Sequence, residues 1–284
     1  MARLPFRTSV VLAALCAAVP MAAAVPAHAQ QPGLLPGTCQ KVHERIPIAP
    51  DGNYLLAGGG RLFTVYCAGM KSTPREYITL VKTGQSANFS QYTAGGASPG
   101  TNVRTAFTRL RIDPAAFTVD IGDLTYASST GSLSHAGSDT VTSMPYAVAM
   151  ACTSAPDGLA NIDLQGTAVR VDNPFALGGA GPSGTATVSP SGQVADLTGG
   201  GFCGWNMPTP VQYNPYNPSP GMANLKLACA KPSVAGAGLC VDLSTAARGT
   251  PQIERHGDRR EVRLRPGARP IAVLDAYGRI TSAN

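Results

Sequence analysis

Pro50-Asp51-Gly52-Asn53-Tyr54-Leu55-Leu56-Ala57-Gly58-Gly59-Gly60-Arg61-Leu62-Phe63-Thr64-Val65-Tyr66-Cys67 holds two short apolar runs, Tyr54–Leu56 and Leu62–Tyr66, on either side of a glycine-rich break. Runs of this length, rich in Tyr, Phe, Val and Thr and bounded by Gly, Pro and Asn, predict β-strands. The texture continues along the chain in Tyr77–Val81, Phe107–Ile112, Ala147–Cys152, Ile162–Leu164, Ala168–Val171 and Thr185–Val188. No window keeps a 3.6-residue apolar period for three turns, so long amphipathic helices are not expected. Residues 84–104 and 172–184 are rich in Gly, Ser and Ala and read as loops.

Composition agrees. Of 284 residues, 44% are hydrophobic and 13% charged, with 32 Gly and 24 Pro. That is too much punctuation for a helical bundle and too many apolar residues for a disordered chain. Aromatic residues make up only 6%, with Trp205 the single tryptophan, which argues against a broad stacking platform for sugars or bases.

The first 29 residues read as a secretory signal peptide. Arg3 and Arg7 form its positive start, Val10–Val25 its apolar stretch, and Ala27-His28-Ala29 its cleavage site, with Gln30 the expected mature N-terminus. The apolar stretch is short for a membrane anchor and contains Pro20. No later segment is long or apolar enough for a span, so the mature chain is expected to be exported, extracellular or periplasmic. Cys16 leaves with the signal, and six cysteines remain: Cys39, Cys67, Cys152, Cys203, Cys229 and Cys240. An even count in an exported protein predicts disulfides, with fifteen pairings open on count alone. Cys229 and Cys240 enclose ten residues and are expected to pair locally. The expected fold is therefore mainly β, or α+β with little helix: a disulfide-stapled, β-rich globular domain.

Charge is uneven. Residues 30–244 hold 12 Lys/Arg and 12 Asp/Glu, whereas 245–284 hold eight Arg against four acids. Between them, Asn206–Gly221 places five prolines in 16 residues and predicts an extended connector that ends the main domain. Beyond it, Val262 and Leu264 alternate with Glu261, Arg263 and Arg265, and Ile271–Leu274 follows a Pro266–Pro270 turn. This predicts a small C-terminal β-meander. The expected domains are a signal peptide 1–29, a linker 30–37, a main domain 38–209, a connector 210–221 and an Arg-rich, disulfide-containing extension 222–284. Arg259, Arg260, Arg263 and Arg265 read as a charged edge strand protected from aggregation. The sharper alternative makes them a patch for an anionic polymer or lipid head group.

Tests for chemistry mostly fail. His43-Glu44-Arg45-Ile46-Pro47 starts like a zinc-protease HExxH but has Pro47 where the second His must stand. His43, His135 and His256 are scattered. Gly96-Ala97-Ser98-Pro99-Gly100 matches G-x-S-x-G, yet Pro99 lacks the N–H that an oxyanion hole needs. The cysteines show no CxxC pair, which favours disulfides over zinc. Asp120, Asp123 and Asp139 lack the order of a calcium loop, leaving only a site assembled from loops. Asn88-Phe89-Ser90 is a glycosylation sequon, meaningful where the host glycosylates. No catalytic, cofactor-binding or metal residue is assigned.

One combination is more specific. Pro50-Asp51-Gly52-Asn53-Tyr54, Val65-Tyr66-Cys67-Ala68-Gly69-Met70-Lys71-Ser72, Pro74-Arg75-Glu76-Tyr77-Ile78-Thr79-Leu80 and Asn88-Phe89-Ser90 together resemble the GON domain at the C-terminus of some secreted ADAMTS-type metalloproteases. The resemblance continues through Leu110-Arg111-Ile112-Asp113, Ile162-Asp163-Leu164-Gln165-Gly166-Thr167 and Gly200-Gly201-Phe202-Cys203-Gly204, covering about residues 37–209. The family's closing signature has further cysteines where Gly199 and Asn206 stand, and another is replaced near Asp157, so the resemblance implies that part of its bridging is missing. The opening block is also similar to fibrinogen-like domains, where the corresponding cysteines bond. That analogy implies Cys39–Cys67, leaving Cys152–Cys203 and Cys229–Cys240.

The resemblance implies an ancillary module, not a protease. The reading favoured is a secreted, non-catalytic binding module with an unknown extracellular or envelope protein, or an anionic polymer, as partner. It implies no nucleic acid and no cofactor. Two alternatives stand beside it: a zinc-dependent metalloendopeptidase-associated protein, carried by the family label alone, and a cell-envelope structural protein.

Overall fold

The computed structural model describes residues 35–217, 224–231, 234–235, 238–244 and 251–284. The expected signal peptide, Cys16, most of the linker and part of the connector lie outside the described residues.

The two opening runs form an antiparallel pair, Gly52–Gly58 with Arg61–Ala68, in which Tyr54 faces Val65 and Leu56 faces Phe63. Both faces of this pair are buried. Tyr54, Leu56, Phe63 and Val65 enter the main core, while Leu55 and Leu62 enter a second core on the opposite side. That explains the unbroken Tyr54-Leu55-Leu56 run, since a strand covered on both faces need not alternate.

The sheet built around this pair runs Val169–Val171, Asn224–Cys229, Thr118–Asp120, Arg109–Asp113, Arg75–Thr79, Arg61–Ala68, Gly238–Asp242, Val234–Ala235. A second sheet runs Phe175–Gly179, Gly204–Pro208, Ala149–Ala151, Phe89–Thr93, Gly158–Asp163, Val194–Gly199, Ala186–Val188, and Val103–Phe107 joins Phe89–Thr93 to Ala127–Thr130. The main core draws on residues of both sheets, such as Phe63, Val65 and Ile78 of the first and Tyr92, Met150 and Ile162 of the second. The expected strand Phe107–Ile112 is in fact two. Val103–Phe107 belongs to the second sheet and Arg109–Asp113 to the first, so the chain changes sheets at Thr108.

The fold is mainly β, with one described helix, Cys39–Arg45. Thr38 caps it, its Oγ1 accepting the Lys41 N–H at 3.1 Å, and Glu76 Oε1 accepts the Cys39 N–H at 2.6 Å. Burial raises the Glu76 pKa above the usual carboxylate value, against the pull of that backbone hydrogen bond.

Two loop expectations are corrected. Residues 84–104 contain Phe89–Thr93 and the start of Val103–Phe107, and 172–184 contain Phe175–Gly179. Polar side chains hid these strands. Ser90 and Thr105 are fully buried, and their hydroxyls accept the N–H groups of Val148 and Met144. The connector is also shorter than expected, because Asn206–Pro208 lie in the strand Gly204–Pro208.

The chain after the connector does not stand apart. Asn224–Cys229 sits between Val169–Val171 and Thr118–Asp120, and Gly238–Asp242 pairs with Arg61–Ala68. The C-terminal meander has four strands, Gln252–His256, Arg259–Arg263, Ala272–Leu274 and Ile280–Ala283. Val262, Leu264, Ala272 and Leu274 pack with Leu55, Leu62, Leu239 and Val241 on the outer face of the first sheet. The charged strand expected at an edge is therefore paired on both sides and half covered.

Three disulfides close the fold: Cys39–Cys67, Cys152–Cys203 and Cys229–Cys240. Their sequence separations of 28, 51 and 11 residues correspond to about 3.6, about 4.1 and about 2.8 kcal/mol of chain entropy removed from the unfolded state.

Candidate functional site

Polar and sulfur side chains from several segments meet beside the second sheet. Tyr92, on the central strand Phe89–Thr93, is fully buried. Its hydroxyl lies 2.6 Å from Ser98 Oγ, 2.6 Å from His135 Nδ1 and 3.0 Å from Cys152 Sγ. Four segments converge to make this contact. The turn after Thr93 brings Ser98, held by reciprocal backbone bonds between Gly95 and Ser98. Gly96 passes so close to the Cys152 carbonyl that a Cβ would sit 2.2 Å from its oxygen, and its φ of +55° suits glycine. The Ser134 N–H donates to the Pro99 carbonyl, tying the Leu133–His135 hairpin to that turn. Cys152 follows Ala149–Ala151, and Cys203 precedes Gly204–Pro208.

Tyr216 also lies against the imidazole, ring centroids 4.6 Å apart, and within 6.2 Å of the Tyr92 ring, and its hydroxyl donates to Asp139 Oδ2 at 2.9 Å. Burial, then the Asp139 carboxylate, pushes the Tyr216 pKa up to about 12. Burial lowers that of His135, with Asp139 opposing, and burial raises that of Tyr92. A neutral imidazole with its proton on Nε2 accepts the Tyr92 hydroxyl at Nδ1.

Ser98 is no hydrolytic nucleophile in this setting. It is fully buried, and its hydroxyl meets the Tyr92 phenol, not an imidazole. Cys152 is bonded to Cys203. At the solvent side of that bond, Phe202 and Cys203 both hold left-handed backbone, with φ of 49° and 70°. Side chains other than glycine adopt it at a cost. Phe202 is nevertheless 69% exposed.

The other candidates are spent elsewhere. Glu44 pairs with Lys41 at 2.7 Å on a helix that stops at Arg45, so no zinc-peptidase geometry forms around His43. Asp120 and Asp123 share Arg111 at 3.7 and 3.6 Å, while Asp139 serves Tyr216. A cation at the first two would have to displace a guanidinium. The sequon Asn88 is fully buried. Its amide donates to the Lys82 and Asp163 carbonyls and accepts from the Tyr146 hydroxyl and the Asp163 N–H, so it braces the fold and presents nothing to a glycosylation enzyme.

The four arginines divide. Arg263 is paired with Glu254 at 3.0 Å and with Glu261, and Arg260 donates to the Ala276 carbonyl. Arg259 and Arg265 are exposed. Strand alternation puts Arg260 on the opposite face from Arg259 and Arg263.

Two groups of described residues bring three metal-binding atoms within 4.8 Å of one another: His135 with Cys152 and Cys203, and Glu254 with His256 and Glu261. Sequence reasoning missed the first, because its members are scattered from residue 135 to 203 and its cysteines read as a staple.

Three disulfides in a mainly β body define a class of bridge-reinforced domain typical of extracellular settings. Among the described residues no helix is long and apolar enough to cross a membrane. The GON domain model matches residues 36–99, and the resemblance read from the sequence is thus shown. The chain is also similar to "A disintegrin and metalloproteinase with thrombospondin motifs 20" of Mus musculus, 26% identical over 197 residues, and to that of Homo sapiens, 26% identical over 200. Each match covers 60% of this chain and 10% of the relative, so the chain spans about a tenth of the length of these curated relatives. No solved structure matches.

Proposed function

We propose that the protein is an exported, non-catalytic binding module of the GON type, released at Gln30 by signal-peptide cleavage, that captures an extracellular or envelope protein. Phe202 carries the reading: a large apolar side chain, 69% exposed, on consecutive left-handed residues beside a disulfide. Strained backbone that the surrounding structure over-determines is a mark of functional positions, and rigid aromatic anchors dominate binding energy at interfaces. A module that matches a small part of much longer relatives fits an ancillary role.

The test places a photo-crosslinking phenylalanine analogue at position 202 of the exported protein in its native setting, with exposed Val188 as the control position. One discrete adduct from position 202, competed by unlabelled wild type and not by Phe202→Ser, is the expected result. No adduct, or the same adducts from both positions, overturns the reading. Chelator-sensitive peptide hydrolysis by the purified protein would replace it with the metalloendopeptidase alternative.

A further inference from the structure

We propose that Cys152, Cys203 and His135 form a zinc-type metal site that the Cys152–Cys203 disulfide keeps closed and that reduction opens. The inference does not rest on the binding-module reading.

The three donor atoms already lie within 4.8 Å of one another, with Cys152 Sγ 3.9 Å from His135 Nδ1. A tetrahedral zinc ion with ordinary bond lengths sets neighbouring sulfur and nitrogen ligands about 3.6 Å apart and two sulfurs about 3.8 Å apart. The imidazole already stands close to that distance from Cys152, the sulfurs must part from their bond, and the Tyr92 hydroxyl, 2.6 Å from Nδ1, must give up that lone pair to the metal. Two thiolates and an imidazole are a soft donor set that suits zinc. Cys203 is half-buried on a turn bordered by the exposed Phe202, the side from which a reductant reaches the bond.

The surroundings supply what ligands require. Tyr92 reaches both Nδ1 and Cys152 Sγ, so its single proton is free to turn from the imidazole to a thiolate. Tyr216 packs against the imidazole, ring centroids 4.6 Å apart. Outer partners of this kind tune a metal site by 10–100-fold in affinity, as a rule. Among these contacts no Lys or Arg competes for the sulfurs, in contrast to Glu254 and Glu261, which Arg263 already neutralises.

The chemistry balances with a small dithiol as reductant. Its two sulfurs become a disulfide as the Cys152–Cys203 bond breaks, and two electrons and two protons pass to the cysteines. Zinc then displaces both thiol protons to solvent and takes the free pair of Nδ1.

The experiment titrates the full mature chain with a phosphine reductant, which does not bind zinc as dithiols do. Differential alkylation identifies the state in which only Cys152 and Cys203 are open. Cys39 and Cys67 are both fully buried and should open later. Native mass spectrometry with zinc, and cobalt(II) absorption as a signature of thiolate ligation, then read the site. One zinc per reduced chain and none in the oxidised chain is expected, with zinc protecting Cys152 and Cys203 from alkylation. His135→Gln should bind at least about ten-fold more weakly while reducing normally, and His256→Gln should match wild type. No zinc in the reduced chain, equal affinity in His135→Gln, or protection of Cys229 and Cys240 instead would overturn the proposal. Where reduction loosens the fold, zinc should restore the near-ultraviolet circular dichroism, and its failure to do so counts against the site.

Discussion

The first sheet is finished differently on its two faces. Toward the main core, Tyr54, Leu56, Phe63 and Val65 meet a body braced by Cys39–Cys67, by Cys152–Cys203 and by the buried amide of Asn88. Toward the C-terminal meander, Leu55 and Leu62 meet a four-stranded sheet with no disulfide of its own, secured by an apolar seam and by the ion pairs of Arg263 and Arg279. The comparison separates two ways of holding β-structure. Long-range bridges and hydrogen-bonded buried polar groups such as Asn88 and Ser90 make a body that tolerates Ser, Gln and Asn at its centre. A seam of a few aliphatic side chains holds a small sheet whose outward face is free to be charged.

The largest test strikes the body. Asn88→Ala removes four side-chain hydrogen bonds, orphans two carbonyls and a buried tyrosine hydroxyl, and leaves a residue without glycine's freedom at φ 54°. The expected loss is about 5 kcal/mol, read by denaturant unfolding, with little folded protein at 37 °C. A loss below about 2 kcal/mol would show that the amide is not the brace described. Leu62→Ala strikes the seam. It should cost about 3 kcal/mol. Hydrogen exchange should accelerate across Ile253–Leu274 and stay unchanged in Phe89–Thr93; equal acceleration in both would merge the two regions into one unit.

Smaller effects sharpen the contrast. Arg263→Ala should cost less than about 1 kcal/mol, because ion pairs on a solvated face contribute little, and high salt should erase the difference. Glu76→Gln should change a slope more than a level. Arg111 and Asp113 face this carboxyl with opposite effects, and burial outweighs them together with the Cys39 N–H. Since its folded pKa lies above the ordinary 4.5, its contribution is fully present below that value and is lost as pH rises through the folded value. Wild-type stability should therefore decline over that window relative to Glu76→Gln, and parallel curves would reject burial as the cause.

Much of this fold could be read in advance, and the exceptions are instructive. Tyr54–Leu56 and Leu62–Tyr66 announced themselves because burial on both faces demands apolar runs. Val262 and Leu264 announced the meander by alternation. Phe89–Thr93, the centre of the second sheet, did not. Its buried Ser90 and Gln91 look like loop residues until Val148, 58 residues on, is folded against the first and Arg104, on the neighbouring strand, against the second. The short helix Cys39–Arg45 went unread, since seven residues are too few to show a helical apolar period. Tyr92, His135 and Tyr216 belong to segments that nothing in local pattern connects, so the candidate site was invisible while its two cysteines were read correctly as a bridge.

The strand Asn224–Cys229 lies inside the first sheet, with Val169–Val171 on one flank and Thr118–Asp120 on the other. A chain cut at residue 209 would keep every residue of the family match and still be unfinished, with two rows of unpaired amide and carbonyl groups facing an empty slot. Such a slot recruits whatever extended backbone is nearest. In a concentrated solution that is a neighbouring molecule, so trimming the protein to its recognisable part would turn it toward strand exchange and fibre formation.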